Sequence, residues 1–203
     1  ETDSSQGEFS LSAICDGRNI IPMQPTQNFE PNEMGSYSPL PWAPDDIVED
    51  TYTQVLAPVI AEMTARGTPF IGLLSAHLAI SDDGIRVIDL SICFGDSDTQ
   101  VLIPLLKTPL ATLLYKAATN NLDDVALQWR EESAVSVLLA AGGYPESAQT
   151  GSVILNIPNV KETITFHAGT TRSTAGLVSS GGRVLSVTGI GEDLTEARDR
   201  AYR

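Results

Sequence analysis

The sequence predicts an α+β fold: a mixed, largely antiparallel sheet with flanking helices over residues 1–125, then a small strand-rich lobe over 126–203. Three observations carry that expectation. Asp16-Gly17 and Asp82-Asp83-Gly84 each separate two apolar, strand-like runs, and Asp-Gly between such runs is a strong hairpin signal. Apolar residues between Ile47 and Met63 recur at helical spacing. From Ser133 onward the texture turns to short β-prone runs separated by glycine-rich turns, which sets a boundary between 120 and 130.

In chain order, 9–15 and 19–23 read as the first two strands. Residues 24–44 read as loop, with five prolines, two asparagines and a glycine in 21 residues. A helix then opens at Asp45, where Asp45, Asp46, Glu49 and Asp50 suit the positive end of the helix dipole. Ile47, Val48, Val55, Leu56, Val59, Ile60 and Met63 form its apolar stripe, Gly67 ends it, and Pro58 is expected to kink it. Residues 70–80 and 85–94 form the second hairpin. Short helices follow over 100–107 and 110–118, separated by Pro109. AVSVLLAAGGYP, GSVILNIP, ETITFHAGT and GLVSSGGRVLSVTGIG then supply strands, and a last helix starts near Leu194.

Bulk properties narrow the function. A formal net charge of -14 argues against nucleic acid or an anionic membrane as the main partner, because both reward clustered Lys and Arg. Hydrophobic content of 42% and charged content of 19% are those of a globular, soluble chain. Cys15 and Cys93 make neither a disulfide framework nor a CxxC pair, in keeping with a reduced, cytoplasmic setting. The most apolar stretch, PFIGLLSAHLAI (69–80), is too short to span a bilayer, and no signal peptide is visible. The chain opens on Glu1 and closes on TEARDRAYR within a helix, so it reads as part of a longer protein.

The polar residues fall into a few groups. In VIDLSIC (87–93), strand alternation puts Ile88, Leu90 and Ile92 on one face and Asp89, Ser91 and Cys93 on the other. Such a row is a metal or phosphate site, or the solvated side of a half-buried sheet. Two histidines leave little material for a nucleophilic triad, and His77, inside an apolar strand, reads as a satisfied core or edge histidine. Gly181-Gly182-Arg183 is either a backbone approach to an anion clamped by Arg183 or a tight hairpin with a surface Arg. Met34-Gly35, in the proline-rich segment, is a binding loop or simply a loop. GxxxxGK[ST] and GxGxxG are both absent.

Several stretches, in order and spacing, resemble glycinamide ribonucleotide synthetase: MGSYSPLPW, PFIGLL, DTQVLIPLLKTPLATLLYKAATNNL, LLAAGGYPESAQTGSVI, FHAGTT and SSGGRVLSVTGIGEDLTEARDRAY. The resemblance covers nearly the whole chain and is closest to the family's actinobacterial forms. It implies an ATP-grasp fold, its C-terminal part in 1–125 and the synthetase's β-rich lobe in 126–203. It further implies ATP, Mg²⁺ or Mn²⁺, glycine and 5-phosphoribosylamine as ligands. The reaction it implies is ligation through a glycyl phosphate to glycinamide ribonucleotide, ADP and phosphate, with this chain an incomplete part of the enzyme.

The same resemblance assigns residues. The family's Glu-Phe-Asn-Ala-Arg-Phe-Gly-Asp motif, whose Glu and Asn hold magnesium and whose Arg faces the phosphates, matches Asp89, Ser91 and Cys93 here, with Phe94, Gly95 and Asp96 retained. Glu1 and Glu8 fall in the adenine-binding segment. Met34, Gly35, Asp96 and Arg183 are phosphate or substrate candidates. Asp89 is a methylene shorter than the family's Glu, Ser91 is a weaker donor than an amide, and Cys93 removes a positive charge. An alternative therefore stands beside the ligase: a degenerate ATP-grasp relative, catalytically inactive, serving as a binding or assembly module.

Overall fold

Alternation along β1 (Glu8–Asp16) organises the first sheet. In the computed structural model, which describes residues 7–29, 34–81, 84–157 and 160–203, Phe9, Leu11, Ala13 and Cys15 are buried in one core. β1 pairs antiparallel with β2 (Ile20–Pro22) across the Asp16-Gly17 turn and with β5 (Ile71–Ser81) on its other side. β6 (Gly84–Ser91) pairs antiparallel with β5, giving the order β2-β1-β5-β6. Both hairpins are those that the sequence predicts; residues 82–83 of the second turn lie outside the described residues.

One face of this sheet is covered by the helical segment. α1 (Ile47–Thr51), a π-helical turn (Tyr52–Leu56) and α2 (Ala57–Ala65) follow one another, and Ile47, Val55, Leu56 and Ile60 join Leu11, Leu74, Ala76 and Leu78 in the core. At the expected kink the structure has the π turn instead. Ala57 N–H donates to the Tyr52 carbonyl, and Pro58, which has no N–H to donate, falls in the first turn of α2 directly after the π turn. On the opposite face, Ile14 and Leu73 pack with Leu102 of α3 (Asp96–Leu105) and Leu113 of α4 (Leu110–Ala118). α3 starts earlier than the expected residue 100 because extended Gly95 opens it and accepts the Thr99 hydroxyl at 2.6 Å.

The second sheet runs β3-β4-β7-β11-β8, from β3 (Gln27–Asn28), β4 (Gly35–Ser38), β7 (Ser133–Ala140), β11 (Arg183–Gly191) and β8 (Thr163–His167). β9 (Thr170–Ser173) and β10 (Gly176–Ser179) form a separate hairpin, and α5 (Leu194–Ala201) packs on β11. The expected loop over 24–44 therefore contains two strands, and that expectation is corrected. β4 lies between β3 and β7 with Gly35, Ser36 and Ser38 buried, so pairing in the sheet outweighs a local composition rich in Pro and Ser. The sheet takes strands from both sides of residue 125. Among the described residues no helix is long and apolar enough to cross a membrane.

Candidate functional site

The polar residues of three adjacent strands meet on one face. Ser10 of β1 stands opposite His77 of β5, and His77 stands opposite Asp89 of β6. One step along, Ser12 stands opposite Ser75, and Ser75 opposite Ser91. Cross-strand partners share a face, so the strands carry two polar rows side by side: Ser10–His77–Asp89 and Ser12–Ser75–Ser91. The Ser12 hydroxyl donates to Ser75 Oγ at 3.0 Å within the second row. Beyond it the same face turns apolar with Ile14 and Leu73.

The start of α3 and β3 face these rows across a cleft of about 220 Å³. Asn28, Gly95 and Asp98 complete its lining. Buried Thr26 donates to Asp98 Oδ1 at 2.7 Å, and Ser97 donates to Asn28 Oδ1 at 2.8 Å. The Ser36 hydroxyl reaches the Ser97 carbonyl at 2.7 Å, which anchors α3 to the second sheet. The Glu8 carboxylate lies 3.4 Å from His77 Nε2 at the rim.

Asp89 and Ser91 both line the cleft, as the alternation on β6 places them. The rest of that strand departs from expectation. β6 ends at Ser91, so Cys93 lies beyond the strand and exposed rather than third in a row. A register shift at His77 leaves Ile88 without a cross-strand partner. Of the three apolar residues that alternation puts on one face, Ile88 and Leu90 are 47% and 38% exposed on this edge strand, and Ile92, beyond its end, is 74% exposed.

The remaining candidates lie apart from the lining. Glu1 is outside the described residues. Asp96 opens α3 exposed, while Asp98, two residues on, reaches the cleft. Met34 and Gly35 belong to the second sheet: the Met34 carbonyl accepts from Leu138 N–H, and a side chain on Gly35 would lie 2.1 Å from the Ser136 carbonyl. Arg183 donates from Nε to the Tyr144 hydroxyl at 3.0 Å. Its glycine neighbours connect β10 and β11 of different sheets, and Gly182 makes room for the Tyr144 ring.

Pattern alone reads His77 as a satisfied core or edge histidine and does not single out Ser10, Ser75, Asn28 or Asp98; all five line the cleft. The signal for three of them is present, since serines at 10, 12 and 75 and the histidine at 77 interrupt apolar strands at every second residue. Asn28 and Asp98 reach the cleft only through tertiary pairing.

The donor set is rich in hard oxygens: the Asp89 and Asp98 carboxylates, three serine hydroxyls and an amide. No Lys or Arg is among the lining residues, so a polyphosphate entering the cleft would meet the Asp89 and Asp98 carboxylates. A divalent cation held there would offset that repulsion, and the oxygens present suit a hard one. Among the described residues no three His, Cys, Asp or Glu side chains converge as a self-sufficient metal cage.

Two family descriptions match the chain. Residues 3–99 match the phosphoribosylglycinamide synthetase ATP-grasp (A) domain, and residues 134–203 match the C domain of the same enzyme. The phosphoribosylamine–glycine ligase of Streptomyces coelicolor is 49% identical, over 97% of this chain and 51% of that protein. The Mycobacterium leprae ligase is 44% identical over 97% and 49% respectively. The chain thus spans about half the length of these relatives. The crystal structure of the Thermotoga maritima ligase superposes with a TM-score of 0.87 at 27% identity, over 98% of this chain and 51% of that one. A biotin carboxylase domain from Hydrogenobacter thermophilus, solved with MgADP and bicarbonate, shares the fold alone, with a TM-score of 0.67 at 11% identity, over 95% of this chain and 43% of that one. With ATP-grasp neighbours in space and two successive segments of one synthetase in sequence, the chain belongs to the phosphoribosylglycinamide synthetase family.

Proposed function

We propose that this chain carries the metal–nucleotide side of a phosphoribosylamine–glycine ligase. In that reaction a glycine carboxylate oxygen attacks the γ-phosphorus of ATP and ADP leaves. The amine of 5-phosphoribosylamine then attacks the glycyl carbon, phosphate leaves and a proton is released, giving glycinamide ribonucleotide. The observation that carries the proposal is the pair of polar rows, which sets Asp89 and Ser91 in one cleft with Asp98. Asp89 and Ser91 would hold the Mg²⁺ or Mn²⁺ of the nucleotide. The ion, when bound, draws charge from the phosphate oxygens. Ser10, Ser75 and Asn28 supply hydrogen-bond partners around it, and the Thr26–Asp98 bond fixes the start of α3 against the strands. Glu8 lies beside the nucleotide end of the cleft in this reading, Glu1 extends that adenine-binding segment, and the setting is the cytoplasm.

A second reading rests on the shortened acid Asp89, the hydroxyl at Ser91 and the exposed Cys93: an ATP-grasp relative that binds or assembles without catalysis. Calorimetric titration of Mg·ATP into the protein that carries this chain separates the two, followed by assay of ADP and glycinamide ribonucleotide formation. The ligase reading expects binding that Asp89→Asn weakens and product that requires both glycine and 5-phosphoribosylamine. Mg·ATP binding without that product would sink it, and absence of binding would leave the assembly module.

A further inference from the structure

We propose that His77 is a ligand of the divalent cation in this cleft, through Nδ1, and that it moves the cation preference away from Mg²⁺ towards metals that accept nitrogen. The inference rests on the metal–nucleotide reading above and adds a residue to it. His77 occupies the centre of the first polar row, directly opposite Asp89 on one side and Ser10 on the other, and its half-exposed side chain lines the cleft. Directly opposed residues of a regular ladder hold their Cβ atoms about 4.5–5.5 Å apart; His77 and Asp89 are paired at the edge of the register shift and line the same cleft, which puts both side chains within reach of one ion.

The environment of the ring selects which nitrogen is available. Nε2 is the one near Glu8, at 3.4 Å from Oε2. A carboxylate beside Nε2 favours the tautomer with its proton there and leaves the Nδ1 lone pair to coordinate. This is the carboxylate–histidine–metal arrangement that fixes ring orientation in metal sites. Glu8 then positions His77 rather than touching the ion. A set of Asp89, His77 and the Ser91 hydroxyl contains only two His, Cys, Asp or Glu side chains, in keeping with the lack of three convergent ones among the described residues. Imidazole nitrogen suits Co²⁺ and Zn²⁺ better than Mg²⁺, which prefers oxygen at strict octahedral distances.

The test uses the protein that carries this chain, with ADP and Mn²⁺ as the spectroscopic probe and Co²⁺ and Mg²⁺ for selectivity. Pulsed electron paramagnetic resonance of the Mn·ADP complex is expected to show ¹⁴N modulation that His77→Ala and His77→Gln both abolish. By titration, the same variants lower Co²⁺ affinity by about tenfold or more, the scale set by loss of a ligand's supporting partner, and change Mg²⁺ affinity less. Glu8→Gln, which removes the orienting charge, weakens Co²⁺ binding in the same direction. A Mn·ADP complex that still depends on Asp89 but lacks nitrogen modulation overturns the role of His77 alone. A complex indifferent to Asp89→Asn overturns the site reading and this inference with it. Melting temperatures of the two His77 variants within about 3 °C of the parent exclude misfolding, since a mild substitution shifts a domain of this size by no more than a few degrees.

Discussion

The buried Thr26 hydroxyl donates to the Asp98 carboxylate at 2.7 Å, joining the chain before β3 to the first turn of α3 across 72 residues of sequence. Both side chains are nearly inaccessible, Thr26 at 1% and Asp98 at 4%. Thr26→Val keeps the shape and removes the donor, so a hydrogen bond to a charged group is lost. The expected cost is about 1–3 kcal/mol, read as a lower urea midpoint with an unchanged slope. If α3 is positioned by this bond, Mg·ATP binding weakens along with stability. Thr26→Ser, which retains the hydroxyl, restores binding first. Equal nucleotide affinity in Thr26→Val and the parent would remove Thr26 from the positioning of the cleft.

Asp16 closes the first hairpin and ties it to the segment after α4. Its carboxylate accepts from Arg18 N–H at 3.0 Å, from Asn19 N–H at 2.7 Å and Nδ2 at 3.0 Å, and from Leu122 N–H at 3.0 Å. Burial alone would raise its pKa, but these donors, led by the Asn19 side chain, outweigh it and hold the group down at about 2 against an ordinary 3.8. A depressed carboxylate stabilises the fold above its unfolded value, and that contribution fades as pH falls from about 4 to about 2, where the folded group protonates. The amount is on the order of 2 kcal/mol. The difference in unfolding free energy between the parent and Asp16→Asn should therefore shrink as pH drops through that window. A difference that stays constant from pH 5 to pH 2 would contradict the assignment.

The two thiols should behave oppositely. Cys15 is fully buried, and burial first, with the Asp16 carboxylate second, pushes its pKa up to about 12. Cys93 is exposed just past the end of β6. Because the thiolate is the reactive form, a disulfide reagent at pH 8 should modify one of these two thiols in the folded protein and both in denaturant. Cys93→Ser should abolish the native signal. Fast native labelling of Cys15 would mean that β1 opens far more readily than its place between β2 and β5 implies.

Gly35 separates crowding from simple conformational preference. Its φ of +144° is unusual for an L side chain, and an added Cβ would lie 2.1 Å from the Ser136 carbonyl of the neighbouring strand. Gly67 also has a positive φ, +78°, but nothing lies within 4 Å of its Cβ position. Gly35→Ala is expected to cost roughly 2–5 kcal/mol, combining backbone strain with overpacking. Gly67→Ala should cost roughly 1 kcal/mol. Chemical denaturation of both variants checks the contrast, and similar midpoints would show that β4 yields without loss.

Most of this architecture is legible in the chain because its signals are local. Asp16-Gly17 and the alternating residues around it specify a hairpin without help from elsewhere, and the apolar stripe from Ile47 to Ile60 specifies the covering helix. β3 and β4 were illegible for the opposite reason: β4 pairs with β7, about a hundred residues later, β3 joins the sheet only through β4, and their own composition reads as turn. The site divides the same way. Asp89 and Ser91 are visible as alternation within one strand, whereas His77 becomes meaningful only when the register sets it against Asp89. Asp98 is misleading locally, since an acid in the first turn of a helix needs no function. Only its inward direction, held by Thr26, brings it into the cleft.

Asp89 reaches less far into the cleft than a glutamate would, and Ser91 offers a hydroxyl where an amide carbonyl would be the stronger oxygen donor. Asp89→Glu combined with Ser91→Asn lengthens one ligand and strengthens the other on the same face of the same strand. Both positions border free cleft volume, so the larger side chains displace water rather than core atoms. Mg·ADP affinity should rise by about tenfold, the lower end of what one improved metal-site interaction supplies. Stability should change little, because neither residue is buried. Adding Cys93→Arg places a positive charge just beyond the strand, and it should tighten ADP and ATP further, more at low salt than at high. Calorimetry with Mg·ADP on the parent, the double and the triple variant reads each step separately. Unchanged affinity in the double variant would mean that the cation does not sit at the Asp89 end of these rows.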